Sequence, residues 1–143
     1  MTVARILAEK GRTVVTVPPD RTIDDAIHIL AEKRIGALVV CDADGGVIGI
    51  LSERDVMRAL AQEGGSAFDA PVSRHMTSRV VSCECSTTIE DVMAQMTNGR
   101  FRHLPVVEDG ALIGVISIGD VVARRIAAVE AEHQAMREYI TTG

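Results

Sequence analysis

The heptapeptide GILSERD at residues 49–55 returns as GVISIGD at residues 114–120, with glycine, serine and aspartate in the same three places. These heptapeptides belong to a longer duplication, in which residues 14–56 and residues 80–121 are two copies of one unit. A small repeated unit usually cannot bury its apolar face alone. We therefore expect the two copies to pack against each other and to form two related sites.

Each copy has the pattern of a strand, a helix, two further strands and a second helix. In the first copy, the β-branched run at residues 14–17 precedes a helix that Thr22 caps. Short apolar strands follow at residues 37–41 and 47–51, and the second helix starts at Ser52. The second copy repeats this order, which predicts an α/β fold.

The composition excludes several classes of protein. With 143 residues, 47% of them hydrophobic, the chain has enough apolar material for a core. Its formal net charge of −5 argues against generic binding to nucleic acid or to acidic membranes, which depends on basic patches. We expect neither a membrane span nor a signal peptide, because no apolar run has the required length. The three cysteines are too few for a disulfide framework and favour a reducing, cytoplasmic location.

The Ser-x-x-Asp pattern in both heptapeptides has two interpretations. It matches a capping box, in which the serine accepts an N–H bond and the carboxylate reaches back to the start of the helix. Residues 22–25 and 88–91 begin the other two helices with Thr-x-x-Asp and no adjoining glycine, so capping alone can explain the pattern. The glycine-led turn favours binding, because a free helix N-terminus attracts phosphate and a nearby carboxylate suits ribose.

Other candidate chemistries are weaker. Cys83 and Cys85 could bind a metal or form a redox pair, but no second ligand pair follows with zinc spacing. Residues 42–44 resemble the opening of a calcium loop, yet no glutamate closes that loop and a turn explains them better. The chain has neither a P-loop nor a dinucleotide fingerprint, and its histidines form no pattern with a nucleophile. We therefore expect no catalytic residue and no metal site.

The C-terminal segment carries a separate signal. Residues 121–139 contain no glycine or proline and are compatible with one long helix. Along it, apolar residues and one histidine recur at alternating four- and three-residue steps, as in a seam for a partner helix: Val122, Ile126, Val129, His133, Met136 and Ile140. The stripe either packs back on its own domain or forms a dimer contact, and the length of the helix favours the dimer.

The ordered motifs of both copies resemble those of cystathionine-β-synthase (CBS) domains. The resemblance is carried by GALVV at residues 36–40, by RHLPVV at residues 102–107 and by both glycine-led Ser-x-x-Asp turns. It covers residues 3–125, and two such domains in tandem resemble a stand-alone Bateman module. It implies two β-α-β-β-α repeats packed as a pseudo-two-fold pair, followed by an extended C-terminal helix.

The resemblance divides the chain into three segments. Residues 1–65 would be the first repeat with its N-terminal lead-in, residues 66–126 the linker and second repeat, and residues 127–143 a C-terminal helical extension. It also implies a homodimer, and adenosine nucleotides bound in clefts between the repeats. AMP is the favoured ligand, with ADP, ATP or NAD as alternatives.

The resemblance further implies which residues would bind the nucleotide. Asp55 and Asp120 would bind ribose, and Ser52 and Ser117 would lie on the phosphate side. The other implied contacts come from the strands and from basic residues of the opposite repeat: Thr16, Pro18, Ile35, Gly36, Ala37, Arg54, Ser82, Phe101, Arg102, His103 and Pro105.

The two implied clefts differ in charge. The Asp55 cleft would borrow the side chains of Arg102 and His103, and charge-assisted bonds to phosphate are strong. The Asp120 cleft would face uncharged residues unless Arg54 reaches it. We therefore expect one tighter and one weaker site.

Together these features are interpreted as a non-catalytic regulatory module that senses adenine nucleotides. Binding would shift the population of one arrangement of the repeats, which an unidentified partner protein would read. An alternative of a different class is a redox-responsive structural adaptor that binds partner proteins without nucleotide, with Cys83 and Cys85 as switchable thiols.

Overall fold

The computed structural model describes residues 1–142, which form a mixed α/β protein as predicted. The first copy and its lead-in contain α1 (Val3–Lys10), β1 (Thr16–Val17), α2 (Ile23–Lys33), β2 (Ala37–Cys41), β3 (Val47–Ser52) and α3 (Glu53–Glu63). A 3-10 turn then leads to the second copy, which contains α4 (Val72–His75), α5 (Ile89–Gly99), β4 (His103–Glu108), β5 (Ala111–Ser117) and α6 (Ile118–Thr142).

Each copy builds its own small sheet. In the first copy, β1 runs parallel to β2, and β2 pairs antiparallel with β3. In the second copy, β4 and β5 form the equivalent antiparallel pair, with His103 opposite Ser117 as Ala37 is opposite Ser52. Both serines of the Ser-x-x-Asp turns therefore end a strand directly beside the start of its neighbour.

The first strand of each copy is shorter than the sequence predicts. Residues 14–17 are a strand only over β1, and residues 80–83 contribute a single parallel bridge, from Cys83 to Val106. Before that bridge, Thr77 forms an antiparallel bridge with Ile50 of the first copy. The residues between Thr77 and Cys83 cross from one sheet to the other and belong to neither ladder.

Helices α2 and α5 agree closely between the copies. They are capped as predicted by Thr22 and Thr88, whose hydroxyls accept backbone N–H bonds of 3.1 Å from the residue three positions on. Both helices end at an arginine in the left-handed conformation, with φ 55° at Arg34 and φ 57° at Arg100. The duplication therefore extends to the backbone conformation at both helix ends.

The helix that precedes each copy packs in the hydrophobic core of the other copy. Helix α1 precedes the first copy, yet its apolar face is buried with Leu104 and Ile116 of the second copy. Helix α4 precedes the second copy, and its Val72 is buried with Leu38 and Leu51 of the first. Each core is thus completed by a segment that the sequence places before the other copy.

Two glycines show how closely the exchanged helices approach. A methyl group on Gly114 would lie 2.7 Å from Leu7 Cδ2, and one on Gly49 would clash with the side chain of Met76. The glycine that opens each heptapeptide therefore leaves room for the lead-in of the other copy. The expected boundary between residues 65 and 66 divides the copies along the chain, while the packing crosses it.

Helix α6 is one helix of 25 residues. The expected extension at residues 127–143 begins inside this helix, and Gly143 lies outside the described residues. Val121 is buried, whereas residues 125–141 are all exposed, so the apolar stripe does not pack back on its own domain. Among the helices in residues 1–142, none has the length and apolar character needed to span a membrane.

Truncating Leu7 to alanine should lower the free energy of unfolding by about 2–5 kcal/mol, because it opens a cavity in the core of the second copy. Urea denaturation followed by circular dichroism measures the loss. Met57→Ala is the control, since that side chain is 71% exposed and its removal should cost less than about 0.5 kcal/mol. An equally small loss for Leu7→Ala would mean that α1 does not complete this core.

Candidate functional site

The Ser52 turn is a complete capping box. Ser52 N–H donates to Asp55 Oδ2 at 2.9 Å, and Asp55 N–H donates to Ser52 Oγ at 3.3 Å. Asp55 is 4% exposed, and its Oδ1 also accepts bonds from Thr77 Oγ1 at 3.2 Å and from Arg58 Nη1 at 3.4 Å. Both oxygens of this buried carboxylate are therefore already bonded within the protein.

The Ser117 turn has the same reciprocal bonds but a different neighbour. Ser117 N–H donates to Asp120 Oδ2 at 2.9 Å, and Asp120 N–H donates to Ser117 Oγ at 3.1 Å. Lys10 Nζ, at the end of α1, lies 2.5 Å from Asp120 Oδ2 and also donates to the carbonyl of Val115 at 2.8 Å. The first turn is therefore covered by the neutral Thr77, and the second by an ammonium group.

The two aspartates also differ in access to solvent. The Asp120 side chain is 24% exposed, against 5% for Asp55. Within residues 1–142, the hydrogen bonds to the Asp120 carboxylate all end at Oδ2, which leaves Oδ1 without one. Burial raises the pKa of Asp120, but the bonds from Lys10 and Ser117 outweigh it and hold the pKa below its usual value. Asp120 is thus a charged, partly accessible acceptor.

The Thr-x-x-Asp helices supply the internal comparison. Their threonines cap the helix, but the capping aspartates are solvent-facing; Asp25, for example, is 50% exposed and 3.4 Å from Arg21. The Ser-x-x-Asp aspartates instead bond back to the serine N–H. The capping interpretation is therefore confirmed for the serine turns, which in addition hold their carboxylates in a fixed position between the two copies.

His103 lies where the two copies meet. A methyl group on Gly36 would be 3.1 Å from His103 Cε1, so the ring covers the start of β2. Burial lowers the pKa of His103 and the charge of Lys10 lowers it further, against the opposing charges of Glu53 and Asp120. The ring is therefore mostly uncharged at pH 7, although charged groups of both copies surround it.

A cavity of about 300 Å³ brings together the other basic residues of the predicted site. It is lined by the side chains of both copies, Arg54 from α3 and Met96, Thr97, Arg100, Phe101, Arg102 and Ile118 from the second copy. Arg54 Nη1 donates to the carbonyl of Arg100 at 3.2 Å. Arg54 therefore contacts the second copy, at the end of α5.

A second cavity, of about 720 Å³, contains the predicted base-contacting residues Thr16 and Pro18. It lies between the hairpin turns of the two copies, at residues 42–46 and 110–112, and shares no lining residue with the first cavity. The predicted contacts Thr16 and Pro18 therefore line a different cavity from Arg54, Phe101 and Arg102.

The remaining predicted residues occupy the strands and their connections. Ile35 is packed against the first core, and Ala37 pairs with Ser52. Pro105 is buried and accepts the N–H of Cys83 through its carbonyl, whereas Ser82 is exposed. Of these, only Ser82 presents its side chain freely to solvent.

Two residues of this region were not anticipated from the sequence, Lys10 and Thr77. Lys10 is the last residue of α1 and Thr77 follows α4, and each contacts the aspartate of the copy on which its lead-in helix packs. A similar segment precedes each copy in the sequence, and this recurrence could have pointed to Lys10 and Thr77. The sequence did not show which copy each of these segments would contact.

The thiols are poorly suited to redox chemistry. Burial, together with the neighbouring Cys85, raises the pKa of Cys83 to about 11. Burial and the carboxylate of Glu108 raise the pKa of Cys85 as well. Because the thiolate is the reactive form, both residues would react slowly at neutral pH, which counts against the redox adaptor. Within residues 1–142, no group of three metal-ligating side chains is present.

Comparison with known proteins connects this arrangement to a family. The family model of the CBS domain matches residues 5–62 and again residues 72–126. A curated 17.7 kDa protein from Acidianus ambivalens is 37% identical over 109 residues, which are 76% of this chain and 65% of that protein. The chain matches only 22% of the length of two longer CBS-domain proteins from Arabidopsis thaliana.

Solved structures extend the comparison to the fold. The crystal structure of a CBS-domain-containing protein from Agrobacterium tumefaciens is 50% identical and covers 87% of this chain and 99% of its own, with a TM-score of 0.86. A CBS domain protein from Pyrobaculum aerophilum, solved as a complex with AMP, is 28% identical and covers 84% of this chain and 89% of its own, with a TM-score of 0.75. The chain therefore belongs to the CBS domain family and contains two CBS domains in tandem.

Proposed function

We propose that the chain is a regulatory module that binds an adenosine nucleotide between its two CBS domains, with Asp120 as the ribose acceptor. The observation that carries this proposal is the free Oδ1 of Asp120, held by the Ser117 capping box beside the Lys10 ammonium. A charged carboxylate accepts the two hydroxyls of a ribose well, and an ammonium is a good partner for phosphate. The AMP complex of the Pyrobaculum protein supports the same class of ligand.

The Asp120 side is the better site for the ligand in this proposal, which reverses the order expected from the sequence. His103 was expected to serve the Asp55 cleft, yet its charged neighbours include Lys10 and Asp120. Asp55 is buried under Thr77, so a ribose would have to displace that hydroxyl. Displacing a hydroxyl that is bonded to a buried carboxylate costs free energy, and binding at Asp55 would be correspondingly weaker.

AMP is the ligand we favour, with ADP, ATP and NAD as competitors. A single phosphate would be met by Lys10 and His103, both close to Asp120. Further phosphates would have the guanidinium groups of Arg54 and Arg102 in the neighbouring cavity. Titration with all four nucleotides therefore reports how many phosphates the site accepts.

The module is proposed to be non-catalytic and to signal through its conformation. The Ser117 hydroxyl bonds to a backbone N–H, and the only carboxylate in its capping box is one whose pKa is lowered, which makes it a poor base. A nucleotide bound at Asp120, with its phosphates toward Arg54, would instead connect the second copy with the first. Such a bridge stabilises one arrangement of the two domains, and a partner protein would read that shift.

We propose a homodimer in the cytoplasm as the working state of this module. The exposed stripe on α6 supports the dimer, and the three free thiols support a reducing compartment.

Replacing Asp120 by asparagine should weaken AMP binding at least about tenfold, since it removes a charged acceptor of two hydroxyl bonds. Isothermal titration calorimetry measures the affinity. Asp91→Asn is the matched control, because Asp91 follows the same three-residue spacing at a helix start but its helix carries no reciprocal box. Loss of binding in Asp55→Asn but not in Asp120→Asn would place the ligand in the other cleft, and unchanged affinity in both would contradict the proposed site.

AMP affinity should rise as the pH falls from 8 to about 6.5, because a phosphate beside His103 favours the protonated ring and raises its lowered pKa on binding. Below about pH 6 protonation of the phosphate itself works in the opposite direction, so the comparison stays above that value. Calorimetry across this range gives the dependence of AMP affinity on pH. His103→Gln should remove most of this dependence, whereas the exposed control His28→Gln should leave it unchanged. If the dependence persists in His103→Gln, His103 does not contact the phosphate.

A further inference from the structure

The far part of α6 is a helix without tertiary support. Val121 is buried and Arg124 is half-buried, but every residue from 125 to 141 is exposed. A solitary helix of this length is only marginally stable in water, since most helical stability in proteins comes from packing an apolar face. The segment therefore needs a partner surface.

The exposed face of α6 has the spacing of a coiled-coil seam. We define the α6 stripe as Val122, Ile126, Val129, His133, Met136 and Ile140. Its apolar members are between 40% and 70% exposed, and the steps between neighbours alternate between four and three residues. In a heptad, Ile126, His133 and Ile140 then occupy position a, and the other three members occupy position d.

The charges beside the stripe distinguish the two directions in which a second α6 could pair. In this heptad, Arg125 and Glu132 are at position g, and Glu130 and Arg137 are at position e. In a parallel pair, each g residue faces the e residue five positions later in the other helix. Arg125 then meets Glu130 of the second copy, and Glu132 meets Arg137 of the second copy. All four such contacts of a symmetric pair are attractive.

The same charges disfavour an antiparallel pair centred on the stripe. In an antiparallel pair, position e faces position e and position g faces position g of the other helix. Glu130 would then face Glu130 of the second copy, and Glu132 would face Glu132 of the second copy. Residues five positions apart do not meet on one helix, so the opposite charges cannot be explained as support within α6 itself. Arg125 has a partner in its own chain, Glu90, but the 4.0 Å contact is more than 60% exposed on both sides and contributes little.

The residues at position a also favour two parallel strands. Ile126 and Ile140 are β-branched, which suits position a of a parallel dimer. His133, between them, is polar, and one polar residue at position a fixes the register and the number of strands. The charges and the residues at position a thus support a second α6 as the occupant.

We propose that α6 pairs in parallel and in register with α6 of a second copy of this chain, through the α6 stripe. This inference deepens the proposed homodimer by naming its interface and its direction, and it does not depend on nucleotide binding. Both pairs of CBS domains then lie at the same end of a two-stranded coiled coil.

Cysteine crosslinking tests the direction of pairing in the full-length chain. Met136→Cys at position d should form a covalent dimer on mild oxidation, because identical positions face each other in a parallel pair. Ala131→Cys, on the outer face of the same helix, and the wild-type chain with its own three cysteines are the controls and should stay uncrosslinked. A dimer by light scattering with no Met136→Cys crosslink would overturn the parallel direction, whereas a monomer would overturn the homodimer itself.

Charge reversal tests the register. Arg137→Glu places like charges opposite each other at both symmetric contacts, and should weaken the dimer about three- to tenfold in sedimentation equilibrium. Glu132→Arg combined with Arg137→Glu restores opposite charges and should return the dissociation constant to near the wild-type value. A double variant as weak as the single one would contradict contact between these two positions.

Discussion

The exchange of lead-in helices is the constraint on which the rest of this fold depends. Leu7 lies against Gly114 of the second copy, and Met76 lies against Gly49 of the first. Each core is therefore completed by a segment that precedes the other copy in the chain. The exchange also brings Lys10 and Thr77 to the aspartates of the two turns. Packing and site chemistry therefore have the same origin.

The asymmetry of the site follows from small differences between copies that are otherwise alike. The two capping boxes have nearly the same geometry, with 2.9 Å bonds from serine N–H to aspartate in both. A neutral hydroxyl covers one carboxylate and an ammonium covers the other. Both oxygens of the buried Asp55 carboxylate are hydrogen-bonded, whereas in the described part of the chain the partly exposed Asp120 has a hydrogen bond only at Oδ2. The duplication provides two equivalent aspartates, Asp55 and Asp120. Their neighbours Thr77 and Lys10 make their environments different.

The structural features that the sequence predicted correctly depend on residues that are close together in the chain. The order of strands and helices, the threonine caps and the serine capping boxes all arise from residues within a few positions of one another, and they were confirmed. The partner of α1 was not predictable in this way, because its apolar face would suit either core. The positions of Lys10 and His103 depend on that long-range choice. Thr16 and Phe101, predicted as nucleotide contacts from different copies, line two separate cavities.

Helix α6 begins with the Asp120 capping box and continues for 25 residues. Its length is about 37 Å, so a rotation of about 5° at its first turn displaces the far end by about 3 Å. A ligand at the proposed site beside Asp120 would act on the first turn of this helix. A small rotation of that turn would reach the C-terminal end of α6 as a larger displacement.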